Sequence, residues 1–105
     1  MLTPYCYIIV RKDIPLCDQM VQSNHASLEA GRNFSHPPGT HICLLQIKNE
    51  KQLLNLDDKL ARKGINKTIF YEPDWKFPGF TAIATEALYG SERKIFKDLN
   101  LWIDV

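Results

Sequence analysis

Four polar side chains, Asp18, Gln22, His25 and Glu29, follow one another at intervals of 4, 3 and 4 residues. On a helix turning about 100° per residue they fall within an arc of roughly 60°. An imidazole flanked by an amide and a carboxylate can form part of a site, in which Gln22 and Glu29 orient His25 or a bound ligand by hydrogen bonds. The plainer alternative is a solvated helix face that carries a structural histidine. Cys17, Met20, Val21, Leu28 and Gly31 gather on another side of the same helix and are expected to form its core face.

A second group lies far along the chain. Glu72 and Asp74 stand just past a strand-like run, in a segment that also holds Trp75 and Phe77. Two carboxylates there can orient water or accept from a ribose hydroxyl, and the aromatics can stack on a base. The competing reading is a rigid proline loop whose aromatics cover a sheet edge. Arg11 and Lys12, at the end of the first strand, are placed to meet phosphate or are an ordinary strand-end pair. The remaining basic residues, Arg62, Lys63, Lys67, Arg93, Lys94 and Lys97, read as solvated helix faces. His36 and His41 flank a Pro-Pro-Gly loop without a metal-binding spacing, so no metal is expected. The chain carries none of the glycine-rich phosphate-binding, nucleophile-elbow or zinc-protease motifs.

The elements that must hold these residues can be read from periodicity. Tyr5-Cys6-Tyr7-Ile8-Ile9-Val10 is a buried strand. Asp13 as N-cap and Pro15 in the first turn open a helix that runs to about Ala30, with Gly31 as its stop. His41–Ile47 is a second apolar strand. Asn49 with Gln52 resembles a capping box ahead of a helix whose Leu53, Leu56 and Leu60 keep helical period, closed by Gly64. Thr68-Ile69-Phe70-Tyr71 and Phe80–Thr85 are two further strands, which can pair antiparallel. A last helix, capped by Ser91, buries Ile95, Phe96 and Leu99, and Leu101-Trp102-Ile103 docks the C-terminal end. The order β-α-β-α-β-β-α predicts a single α/β domain, with a four-stranded mixed sheet flanked by helices and the first two strands parallel.

Composition sets the outer limits. A chain of 105 residues with 45% hydrophobic and 24% charged residues is one ordinary globular domain. A net charge of +1 gives no overall field toward nucleic acid or membrane. The three cysteines, Cys6, Cys17 and Cys43, are an odd number without CxxC spacing; Cys6 and Cys43 lie in strand-like apolar runs, so buried free thiols and a reducing, cytoplasmic compartment are expected. No apolar run approaches 18 residues and no leader-like segment precedes the first strand, so no membrane association is expected.

Taken in order, several of these residues resemble the peptidyl-tRNA hydrolase family of the second, archaeal and eukaryotic, type, and most of all its short bacterial and viral members. The likeness rests on Val10-Arg11-Lys12-Asp13-Ile14, on Gln22 with His25-Ala26, and on Glu29. It continues through Glu72-Pro73-Asp74 and through Gly79 with Thr81-Ala82-Ile83, covering nearly the whole chain. The resemblance implies a mixed four-stranded sheet and metal-independent, cofactor-free hydrolysis of the ester between a peptide and the tRNA 3′ ribose. It makes His25 the general base or orienting group, with Asp13 and Gln22 organising the site and Thr81 facing it. Arg11 and Lys12 would approach the phosphate backbone, and Glu29, Glu72, Asp74, Trp75 and Gly79 would contact ligand. Homodimers occur in that family.

The chain departs from the family pattern in two places. Leu16-Cys17-Asp18-Gln19 replaces a Gly-Lys-Gly-Lys-like stretch, so Asp18 falls where a relative has lysine. Glu72-Pro73-Asp74 replaces an Asp-Ala-Gly-x-Thr segment, although the short bacterial members also carry Glu-Pro-Asp. The alternative function is therefore a catalytically silent module of the same fold that binds a nucleotide, a nucleotide-derived signal or an RNA end. A third is a protein-interaction patch formed by Trp75, Phe77 and Phe80.

Overall fold

The computed structural model describes residues 2–73 and 79–103. Its elements follow the expected order: β1 (Tyr5–Arg11), α1 (Leu16–Asn33), β2 (His41–Ile47), α2 (Glu50–Arg62), β3 (Lys67–Glu72), β4 (Gly79–Thr85) and a 3-10 helix (Gly90–Phe96). The strands form one sheet in the order β2-β1-β4-β3. β1 runs parallel to β2 and antiparallel to β4, and β3 runs antiparallel to β4. This is the mixed α/β sheet that the sequence predicts.

Alternation along β1 and β4 divides the core between the two faces of the sheet. Tyr7, Ile9 and Ile83 point to one face, where they join Leu53, Leu56 and Leu60 of α2. Cys6, Ile8, Val10, Ala82 and Ala84 point to the other, against Ala26 and Ala30 of α1. Helix α2 starts as expected: Asn49 Oδ1 accepts the Gln52 N–H at 3.0 Å. It stops where Gly64 takes φ +73°. The C-terminal end docks along the edge of β2, with the Trp102 N–H donating to the Leu44 carbonyl. The Trp102 indole N–H also donates to Gln19 Oε1 at 2.8 Å.

Helix α1 lies the other way round from the expectation. Cys17 is exposed, Met20, Val21 and Leu28 are each at least 50% exposed, and Gly31 has open space where a Cβ would stand. The buried positions are Gln19, Gln22, Ser23, Ala26 and Ala30. Two causes act together. Alanines meet alanines at this interface, so the helix lies close and no volume remains for methionine or leucine. The polar residues that go in with them are all paired, which removes the main cost of burying them. Gln19 Nε2 donates to the Ile14 carbonyl at 2.8 Å, and Ser23 Oγ to the Met20 carbonyl at 2.9 Å.

Other boundaries shift too. Asp13 is not a cap: Pro15 precedes α1 and no side chain caps its start. Gly31 does not end α1, which continues to Asn33 until the Phe34 N–H bonds the Ala30 carbonyl. The last helix is 3-10 rather than α, and its start is held by Glu92 Oε1 accepting the Tyr89 N–H rather than by Ser91. Cys6 is buried and Cys43 half-buried as free thiols, and burial pushes both thiol pKa values up. Among the described residues no helix is long and apolar enough to cross a membrane, and no group of three or more His, Cys, Asp or Glu residues is arranged to hold a metal ion.

Candidate functional site

Three residues entering β4, Gly79, Phe80 and Thr81, organise two polar clusters, one on each side of the sheet. The cause is a β-bulge. Phe70 pairs with Ala82 but Tyr71 pairs with Phe80, so Thr81 is the extra residue on β4. Strict alternation from Ile83 would aim Thr81 at α2. The bulge turns it to α1 instead, where the fully buried Thr81 hydroxyl donates to Gln22 Oε1 at 2.7 Å.

Gln22 Nε2 then donates to Glu72 Oε1 at 3.1 Å, completing a chain from Thr81 through Gln22 to Glu72. The next rung belongs to His25, whose ring stacks on Phe70 with centroids 4.6 Å apart and planes 3° from parallel. A third rung is Asn33 Nδ2 donating to Thr68 Oγ1 at 3.1 Å. Gln22, His25 and Asn33 thus meet Glu72, Phe70 and Thr68, the residues of β3 that face α1. Part of the polar stripe is therefore the packing contact along β3. Glu29 is not part of it: its carboxylate pairs with Arg32 at 3.0 Å on the helix surface. Asp18 makes no ion pair among the described residues.

On the α2 side the cluster is ionic. Arg11 donates from Nε to Asp13 Oδ1 at 2.8 Å and from Nη2 to Asp13 Oδ2 at 3.0 Å, a bidentate pair. Its Nη1 donates to the Phe80 carbonyl at 3.2 Å, while Glu50 Oε2 accepts the Phe80 N–H at 2.7 Å. The hydrogen bonds from Arg11 hold the Asp13 carboxyl below the ordinary carboxylate range, and those to Asp13 raise Arg11 in turn. Gly79, at φ +147°, lies against the same group: a Cβ there would collide with the Glu50 carboxylate.

The sequence-predicted residues thus divide. Gln22, Thr81 and Glu72 come together in one chain with His25 beside it. Arg11, Asp13 and Gly79 come together in the second cluster, where the cation is already matched by carboxylates. Lys12 belongs to neither. It is exposed and borders a cavity of about 260 Å³ with Lys48, Gln52 and Asp98. Asp74, Trp75 and Phe77 lie outside the described residues. Two participants were not expected, Glu50 and Phe70. A glutamate in the first turn of a helix reads as a partner of the helix dipole, and nothing in its spacing points to β4. Phe70 reads only as a strand residue.

Chemically, the first cluster can accept hydrogen bonds and orient a ligand. The Thr81 proton is directed at an amide oxygen, which is not a base. His25 has no hydrogen-bond partner among the described side chains to fix its tautomer. Glu72 keeps one carboxylate oxygen, Oε2, outside the chain of bonds.

No family model matches the sequence, and no curated protein does. Among solved structures the chain is similar to Atu0240, a protein of unknown function from Agrobacterium tumefaciens strain C58. The TM-score is 0.66 at 12% identity, and the match covers 97% of this chain and 99% of the other. The likeness is one of fold, over the full length of both.

Proposed function

We propose that the chain is a binding module with the peptidyl-tRNA hydrolase type of architecture, holding a nucleoside or RNA 3′ end without hydrolysing it. The observation that carries this reading is the chain of hydrogen bonds from Thr81 through Gln22 to Glu72. It presents a fixed row of polar atoms, yet among the described residues no hydroxyl in it is paired to a base and no histidine is oriented by a carboxylate. Glu72, with lone pairs left over, suits the diol of a terminal ribose or an exocyclic amine. The His25–Phe70 stack beside it offers a ring edge to a base. Arg11 is a weak phosphate ligand in this arrangement, because Asp13 matches its charge and takes two of its donors while the Phe80 carbonyl takes a third.

One observation favours a second reading, an esterase that cleaves the bond between a peptide and the tRNA 3′ ribose. Among the described residues Glu72 Oε2 has no partner and can take a proton from water, with Gln22 holding the carboxylate in place. The two readings separate in one experiment. Adenosine and a short RNA with a free 3′ ribose are added to the protein, its melting temperature is followed, and a peptidyl-tRNA analogue is incubated alongside. A binding module is stabilised by about 2.7 kcal/mol at a hundredfold excess over Kd and returns its ligand intact. Ester cleavage that disappears in Glu72→Gln establishes the esterase. No shift with any nucleoside or RNA end rules out the binding module.

A further inference from the structure

We propose a second binding site, for an oligophosphate group, at the opposite end of α2 from Glu50. Between the last turns of α2 and the 3-10 helix lies a cavity of about 390 Å³, lined by Lys59, Lys63, Lys94, Lys97 and Ser91. Its floor includes the side chain of Ile65, itself buried. Lys59 stands nine residues after Glu50, so the cavity begins about 14 Å along the helix axis from the Arg11–Glu50 cluster.

The concentration of charge is the argument. The whole chain carries a net charge of +1, yet four lysines line this one cavity. Four cations elsewhere are matched: Arg11 by Asp13, Arg32 by Glu29, Arg62 by Asp58 and Lys67 by Asp57; Lys12, Lys48 and Lys51 are unpaired among the described residues, but no more than two of them border any one cavity. Arg93, on the same 3-10 helix, is engaged by the Tyr7 hydroxyl and the Tyr5 ring. None of the four lysines lies within ion-pair distance of a carboxylate among the described residues. Glu92, the acid on the cavity wall, takes the Tyr89 N–H.

Lysines near helix C-termini offset the helix dipole, which is the ordinary explanation for such residues. That dipole amounts to about half an elementary charge per helix end. Two helix ends therefore account for about one of the four positive charges and the Glu92 carboxylate for another, which leaves about two unmatched. An oligophosphate carries charge of that size in a compact form, and ammonium groups bind it as point charges. The volume lies within the roughly 300–1,000 Å³ of small-ligand pockets, and the isoleucine floor suits the face of a sugar or base.

The test is titration of the full-length protein with inorganic tripolyphosphate at low salt, followed by calorimetry and by amide chemical shifts. Saturable binding is expected, with shifts centred on Lys63, Ser91 and Lys94. The double variant Lys63→Gln/Lys94→Gln should weaken it about tenfold or more, since two charge-assisted contacts are lost. Both lysines are exposed, so an unchanged melting temperature serves as the folding control. Two further arms identify the source of the phosphate. A nucleoside triphosphate that binds tighter than tripolyphosphate, with the same loss in the variant, assigns the floor to a nucleoside. A single-stranded oligonucleotide that binds tighter than either, with a salt slope reduced by about 0.7 for each lost contact, assigns the cavity to a nucleic-acid backbone. Absence of saturable binding overturns the proposal, and so does binding that the double variant leaves unchanged or that sulfate matches. None of these outcomes depends on Glu72, so this site and the one beside Gln22 stand or fall separately.

Discussion

Helix α2 meets the sheet with Leu53, Leu56 and Leu60, whereas α1 meets it with Ala26, Ala30 and three polar side chains. The first interface is held by apolar area, at about 1.5–3 kcal/mol for each fully buried leucine. The second is held by close backbone approach and by hydrogen bonds whose individual net worth is about 1 kcal/mol. The difference shows what each side of the sheet can do. A leucine interface is tolerant of position and chemically inert. An interface of paired polar groups fixes the positions of Gln22, Thr81 and Glu72, and the candidate site adjoins that interface. The acceptor-rich side of the molecule is thus the side that gave up a hydrophobic contact.

The contrast breaks most visibly on the α2 side. Leu60 is fully buried, so Leu60→Ala should cost about 2–5 kcal/mol, a large share of the roughly 5–15 kcal/mol that holds a domain together. Urea denaturation with an unchanged slope measures it. A loss below about 1 kcal/mol would mean that α2 is not the main apolar contact, and the comparison would fail at its stronger end.

On the α1 side the expected effect is smaller and depends on pairing. Gln22→Leu removes two hydrogen bonds and leaves the buried Thr81 hydroxyl with only the Phe70 carbonyl, at 3.5 Å. The cost should be about 1–3 kcal/mol, most of it from the stranded hydroxyl. Adding Thr81→Val removes that stranded group and should recover much of the loss. If the double variant is instead as unstable as the two single losses added together, the two residues do not act as a unit and the chain of bonds is not what holds α1.

The same contrast explains which parts of the molecule were legible in the sequence. Helix α2 could be read because its apolar period, its Asn49 cap and its Gly64 stop all describe one local object. The strands could be read because their apolar runs are longer than any exposed segment tolerates. Helix α1 has an apolar face of its own, but which face is buried depends on what the sheet offers. Ala82 and Ala84 offer shallow space to alanines, and Thr81 offers a hydroxyl to Gln22. The bulge that aims Thr81 depends on the register between β3 and β4, which no local pattern records. The cavity lysines belong to two regions far apart in sequence, so Lys63, Lys94 and Lys97 read as solvated charges. Gln22 and His25 were brought together by their helical spacing, and Thr81 joined them in advance only through resemblance. Glu50 had no signal beyond its place in a first helical turn.

The smallest expected effect is the most discriminating test of how α1 lies. Met20 and Leu28 are 53% and 55% exposed, so Met20→Gln and Leu28→Gln together should change stability by no more than about 0.5 kcal/mol each. Were the apolar period of α1 its packing face, the same pair would bury two amides without partners and cost several kcal/mol. A large loss would have a second physical source, the covering of this face by another molecule in solution. The two are separated by concentration, since a melting temperature that rises with protein concentration in the parent and not in the variant reports association rather than folding. A small, concentration-independent change leaves the alanine and glutamine face as the one that binds the sheet. Gln22 is then a fixed wall of the site rather than a solvated side chain.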